Sequence, residues 1–200
     1  MSVALIDYGA GNLHSVANAL RAAGATDLAV TADPDAVARA DRIILPGVGA
    51  FASCMAGLRA IDGMVEAMEQ RVLSEGNPFL GICVGMQLMA QVGEEFGDHL
   101  GLGWVPGRVR RLAPAGDARV PHMGWNDVHP LAPHPLLAEG EAYFLHSYAF
   151  DGDHVLATTD HAGALTAAIG RDNLVGVQFH PEKSQRYGLD LLSRFLSWQP

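Results

Sequence analysis

Cys83 stands in the run Pro78-Phe79-Leu80-Gly81-Ile82-Cys83-Val84-Gly85-Met86-Gln87, where a short apolar stretch meets a cysteine flanked by glycines and passes into a helical pattern. This is the pattern of a nucleophile elbow, a strand-turn-helix that presents one side chain on a strained backbone. Gly81 and Gly85 leave out the side chains that would block close packing of strand, turn and helix. The opening helix is expected to set unpaired N–H groups and the positive end of its dipole beside the sulfur, favouring a thiolate. Such a nucleophile needs a proton-carrying partner, and His180-Pro181-Glu182 supplies an imidazole and a carboxylate two residues apart. Pro181 biases His180 towards an extended backbone, in which residues two apart share a side, so Glu182 is expected beside the His180 ring.

These groups need elements that bring them to one place. Val3 to Ile6 reads as a strand that ends at Asp7-Tyr8-Gly9-Ala10-Gly11-Asn12, and Leu13, Val16, Ala17 and Leu20 then recur at helical spacing. Leu28 to Val30 reads as a second strand, Asp33-Pro34-Asp35 as a helix start, and Arg42 to Leu45 as a third strand. That strand runs into the glycine loop Pro46-Gly47-Val48-Gly49-Ala50-Phe51, followed by helical material to about Ser74 and a stop at Gly76-Asn77-Pro78. Alternating strands and helices predict a mostly parallel sheet flanked by helices, with the site at the strands' C-terminal ends. From Trp104 onward the chain turns strand-rich, with strands expected over Gly107 to Leu112, Tyr143 to Phe150, Val155 to Thr159, Ala167 to Ile169 and Leu174 to Gln178. An antiparallel portion is expected there, and Ser184 to Trp198 reads as a closing helix.

Two hundred residues without a linker predict one domain, residues 1–200. A formal net charge of -9 opposes nucleic acid and anionic membranes, and the basic run Arg108-Val109-Arg110-Arg111 reads as a solvated strand edge. No apolar stretch approaches the roughly 20 residues of a bilayer-spanning helix, and the first residues carry no secretion pattern. Cys54 and Cys83 form no disulfide framework and no zinc spacing, which fits a reducing cytoplasm. Cys54 reads as a buried small hydrophobe, and Glu94-Glu95 by themselves as a solvated helix end. His122, His129, His134 and His146 lack metal-ligand pairing and are expected in polar loop and interface roles, with no metal and no cofactor.

The elbow together with Phe179-His180-Pro181-Glu182-Lys183 resembles the class I, triad-type glutamine amidotransferases, and the chain order Cys, His, Glu agrees. Within that family Asp7 to Asn12, Leu45 to Phe51, Pro121 to Asn126 and His180 to Ser184 resemble the glutaminase subunits that serve imidazole glycerol phosphate synthases. The resemblance implies a flavodoxin-like α/β fold and attack by Cys83 on the amide carbon of glutamine, with His180 moving protons and Glu182 orienting it. It implies an oxyanion hole from the N–H of Val84 and one from the Val48 and Gly49 loop. Gln87, Glu95, His146, Ser147 and Tyr148 would bind glutamine. A (β/α)8 cyclase subunit would be the partner, met through Asn12, His122, Trp125, Asn126, Tyr143 and Lys183. The glycines beside Val48 suggest a peptide reorientation that completes the hole only when the partner is occupied. Alternatives are the glutaminase subunit of another complex of the same class and a catalytically silent regulatory subunit. An α/β-hydrolase fits less well, because Glu182 follows His180 rather than preceding it.

Overall fold

Apolar runs without alternation, such as Val3-Ala4-Leu5-Ile6 and Ile43-Ile44-Leu45, belong on strands covered on both faces, and all seven residues are buried. The computed structural model describes residues 1–113, 115–116 and 118–200. Its first half runs β1 (Ser2–Ile6), α1 (Leu13–Ala22), β2 (Asp27–Thr31), α2 (Pro34–Arg39), β3 (Arg42–Leu45), α3 (Phe51–Arg59), α4 (Met64–Glu69), a π-helical turn (Gln70–Ser74), β4 (Phe79–Ile82) and α5 (Val84–Gln87). The second half holds β5 (Ala90–Gly93), β6 (His99–Leu100), β7 (Val105–Arg111), β8 (His122–Pro130), β9 (Gly140–His146) and β10 (Tyr148–Gly152). It continues through β11 (Val155–Asp160), β12 (Ala164–Arg171), β13 (Leu174–Val177), a 3-10 turn (Pro181–Lys183) and α6 (Gln185–Ser197).

The large sheet has the order β2-β1-β3-β4-β13-β12-β11-β8-β9. Strands β2, β1, β3, β4 and β13 pair in parallel, and β12, β11, β8 and β9 extend the sheet antiparallel. The first four follow the flavodoxin-like order, in which loops at the carboxyl ends of the central strands make the ligand crevice. The chain leaving β1 is Asp7 to Asn12, that leaving β3 is the Gly47 loop, that leaving β4 is Cys83, and that leaving β13 leads to His180. A smaller sheet of order β10-β7-β5-β6 packs beside it.

Several expected elements take a different form. The helical material to Ser74 is divided: α3 stops at Arg59, and α4 starts after Gly63, whose φ of +77° turns the chain into the new helix. The helix after the elbow lasts only four residues, because the chain enters β5 at Ala90. Glu94 and Glu95 therefore follow a strand rather than end a helix. The stretch Tyr143 to Phe150 is two strands in two sheets, joined at Ser147. β7 is an interior strand of the small sheet, not a solvated edge, and its Arg108 and Arg110 pair with Glu94, Asp98 and Asp151. These pairs are partly exposed and each contributes little to stability.

Candidate active site

At the end of β4, Cys83 has φ 54° and ψ -112°, a backbone that costs about 1–3 kcal/mol for a residue with a side chain. Packing holds it there. The Cys83 N–H donates to the Val177 carbonyl at 2.8 Å, and the turn is pressed against its neighbours through atoms no side chain could replace. A Cβ on Gly85 would lie 1.9 Å from the Leu45 carbonyl oxygen, and one on Gly81 would lie 2.7 Å from the oxygen of Gly85. Both glycines are required by close approach, as the sequence indicates.

His180 follows β13 and is 2 % exposed. Its Nδ1 lies 2.9 Å from Glu182 Oε1, and both side chains are buried. Glu182 reaches the ring by a 3-10 turn rather than along the extended segment that was expected. The turn is tied down by Ser184, whose Oγ donates to the His180 carbonyl at 2.7 Å and accepts the Tyr143 N–H at 2.9 Å. Burial alone would lower the basicity of His180, but the Cys83 sulfur and the Glu182 carboxylate outweigh it and raise the imidazole to about 9. Glu182 Oε2 is buried without a hydrogen-bond partner among the described residues, so much of its compensation comes from the charge on His180.

The Gly47 loop lies against the elbow so closely that a Gly47 Cβ would fall 2.6 Å from the Gly85 nitrogen. Its carbonyls are gripped one after another. Tyr8 Oη donates to the Pro46 carbonyl at 2.6 Å, the Val84 N–H donates to that of Gly47 at 3.3 Å, and Cys54 Sγ donates to that of Val48 at 3.4 Å. Burial pushes the Tyr8 hydroxyl and the Cys54 thiol up, keeping both protonated as donors. The Val84 N–H, expected as an oxyanion donor, thus has a carbonyl as its partner.

A cavity of about 280 Å³ opens over the sulfur. Of the expected residues it is lined by Cys83, His180, Val48, Gly49, Val84, Gln87, Glu95, His146, Ser147, Tyr148 and Lys183. Glu95 Oε2 accepts the Phe51 N–H at 2.8 Å, anchoring that carboxylate at the start of α3, directly after the Gly47 loop. Gln87 Nε2 donates to the Tyr148 carbonyl at 3.0 Å and to Gln178 Oε1 at 2.9 Å. His146 Nδ1 lies 2.9 Å from the same Tyr148 carbonyl, His122 Nδ1 lies 2.9 Å from His146 Nε2, and Asn126 Nδ2 lies 3.0 Å from His122 Nε2. Since a carbonyl only accepts, His146 carries its proton on Nδ1 and each later donor is fixed in turn.

A family model described as glutamine amidotransferase class-I matches residues 4–197. The chain belongs to the class-I glutamine amidotransferase family. It is 64 % identical to the imidazole glycerol phosphate synthase subunit HisH of Zymomonas mobilis, the match covering 100 % of this chain and 97 % of that protein. It is 54 % identical to the protein of the same name from Rhodospirillum rubrum, over 100 % of each. A solved structure described as a glutamine amidotransferase superposes with a TM-score of 0.76 over 98 % of both chains at 19 % identity, a likeness of fold.

In this amidotransferase the block Pro121 to Asn126 is divided by strand alternation. On the ribbon of β8 and β9, Met123 faces Leu145 and Trp125 faces Tyr143, and Met123, Trp125 and Leu145 are exposed. Lys183 Nζ lies 5.8 Å from the centre of the Tyr143 ring, and Asn12 is half-buried before α1. The residues between them turn the other way. His122 is buried, stacked on Phe144 and His161, and Asn126 spends its amide on His122 and on the Asp160 carbonyl at 2.7 Å. The interface expectation for the side chain of His122, and the loop expectation for His122, His129 and His146, are therefore corrected: all three lie on strands, and period-2 alternation turns His122 and His146 inside, while Asn126 on the same face is half-buried.

Burial, reinforced by neighbouring imidazoles, lowers His122 and His146 to about 4. An unfolded chain protonates these rings near pH 6.5, so their contribution to stability is complete above that pH and is lost as pH falls towards 4. The thermal midpoint is expected to drop over that window, and less steeply in a His146→Gln variant. Parallel curves for the two proteins would count against the assignment.

Proposed function

We propose that Cys83 is the nucleophile of a glutaminase, His180 its proton carrier, and Glu182 the group that fixes and charge-stabilises His180. The observation that carries this is the buried sequence of Cys83, His180 and Glu182 at the ends of two parallel strands, with Cys83 and His180 lining one cavity and Glu182 behind the imidazole. Cys83 Sγ attacks the side-chain amide carbon of glutamine, and the C–N bond breaks as His180 gives its proton to the departing nitrogen. Ammonia leaves, and the glutamyl thioester is hydrolysed by a water that His180 deprotonates. Gln87, Glu95 and the segment His146, Ser147 and Tyr148 hold the substrate.

Each tetrahedral intermediate needs donors for its oxyanion. Val84 N–H becomes one when the Gly47 carbonyl that it now meets turns away, and the same rotation of the Gly47–Val48 peptide offers the Val48 N–H from the other side. The pinned Pro46 and Val48 carbonyls confine the motion to that one peptide. A resting enzyme with an incomplete hole would spare glutamine until ammonia can be used.

The relatives are named as subunits of a synthase, and the exposed Met123, Trp125 and Leu145 lie beside the cavity mouth, where Leu145 and Lys183 line it. Exposed aromatic and Met side chains of this kind suit an interface core. The partner is the cyclase subunit of imidazole glycerol phosphate synthase, which takes the ammonia for histidine biosynthesis. Unpaired cysteines favour work in the cytoplasm, and among the described residues no helix is long and apolar enough to cross a membrane. Coexpression with a cyclase is expected to give a copurifying complex whose glutamine hydrolysis far exceeds that of the isolated chain once the cyclase holds its substrate. Equal rates in the isolated chain and the loaded complex would remove the gating, and absence of a complex would remove the partner.

A further inference from the structure

Gln178 is fully buried at the end of an otherwise apolar strand, between β13 and His180, and the triad has no use for it. A buried amide carries four hydrogen-bonding positions and is costly unless they are met. Which end of Gln178 faces the sulfur follows from a backbone atom. The Tyr148 carbonyl can only accept, so the end of Gln87 that lies 3.0 Å from it is the nitrogen. That same nitrogen lies 2.9 Å from Gln178, which must present its oxygen there. The Gln178 nitrogen is then left facing Cys83 Sγ, at 3.7 Å.

We propose that Gln178 is a further catalytic residue, whose amide N–H donates to the Cys83 sulfur whenever that atom carries charge. Charge sits there twice in a turnover: on the thiolate before attack, and again when the hydrolysed thioester releases it. A donor held in place for both moments stabilises them without reorganisation, as hydrogen bonds to ionised acceptors do most strongly. His180 and Gln178 approach one sulfur, but only His180 gives up its proton. The arrangement also fixes Gln87: both N–H bonds are committed, so its carbonyl oxygen is the atom offered to a substrate N–H in the cavity. The inference rests on the glutaminase role of Cys83.

Gln178→Met removes the donor while keeping an unbranched side chain of similar length. Cys83 alkylation by iodoacetamide at neutral pH, followed peptide by peptide, reads the sulfur without using any glutamine contact. Alkylation and the kcat for glutamine are both expected to fall roughly 10- to 100-fold, with KM changed less than about threefold. Alkylation at the wild-type rate overturns the proposal. So does a fall accompanied by new labelling of the buried Cys54, since that marks general loosening. If Gln178→Met does not fold, Gln87→Met serves in the same assay. It deletes the group that orients the Gln178 amide, and undiminished Cys83 alkylation there also overturns the proposal. A Cys83→Ala control separates the two claims. Glutamine hydrolysis by that variant would refute the role of Cys83 itself, whereas an inactive Cys83→Ala beside a normally alkylated Gln178→Met refutes only the role of Gln178.

Discussion

Cys83→Ala is expected to lower glutamine-dependent synthesis by about a millionfold, while synthesis from added ammonia by the complex continues. The thioester cannot form without the sulfur, and among the described residues Cys83 is the one cysteine that lines the cavity: Cys54, the second cysteine, is buried beneath the loop with its thiol donating to Val48. Alanine fits the site sterically, since the elbow is held by the glycine contacts and by the Cys83 N–H rather than by the thiol. The variant should therefore fold, bind the partner, and differ from wild type only in the source of nitrogen it can use. Parallel assays with glutamine and with ammonium salt decide the point. Loss of both activities would break the division of labour between the two subunits.

Glu182→Gln is expected to cost about 10⁴ in kcat, the scale seen when the acid of such a triad becomes an amide and the imidazole loses its tautomer and its counter-charge. Its signature is the pH dependence. Glu182 and the Cys83 sulfur together raise His180 to about 9 in the folded chain, against about 6.5 when unfolded. A raised basic group stabilises the fold fully below pH 6.5, and that contribution disappears as pH rises through about 9. Above that pH the wild type keeps a buried carboxylate whose Oε2 has no partner among the described residues, which is costly once His180 is neutral. The substitution should thus lower the thermal midpoint at pH 6, and the difference should close or reverse by pH 9.5. A constant difference across that range would mean that Glu182 does not set the protonation of His180.

The parallel half of the fold was legible because its strands are unbroken apolar runs and its glycine loops fall where strands end. The elbow and the His-Pro-Glu turn were legible for a related reason, since few residue patterns other than a nucleophile site need glycines at positions 81 and 85. The polar interior was harder to foresee. Gln178 does leave a trace in the sequence, as one amide closing an apolar strand two residues before His180, but its bond partners come from Gln87 and Tyr148, far away in the chain. The grips of Tyr8 and Cys54 on the loop carbonyls depend on packing between β1, β3 and α3, which no local pattern encodes. From the sequence the block from Pro121 to Asn126 reads as one surface, because no local pattern there announces β8. Once it is a strand, alternation alone would have separated Trp125 from His122 and Asn126.

That separation also bears on how such a subunit can change over time. Along β8 the odd-numbered side chains Met123 and Trp125 address whatever docks outside, and the even-numbered His122 and Asn126 belong to the hydrogen bonds that lead towards the nucleophile. One short ribbon thereby carries two independent sets of instructions, interleaved letter by letter. Its outer set is free to drift with a coevolving partner, or to be rewritten by a protein engineer seeking an orthogonal pair, without disturbing the chemistry spelled by the inner one.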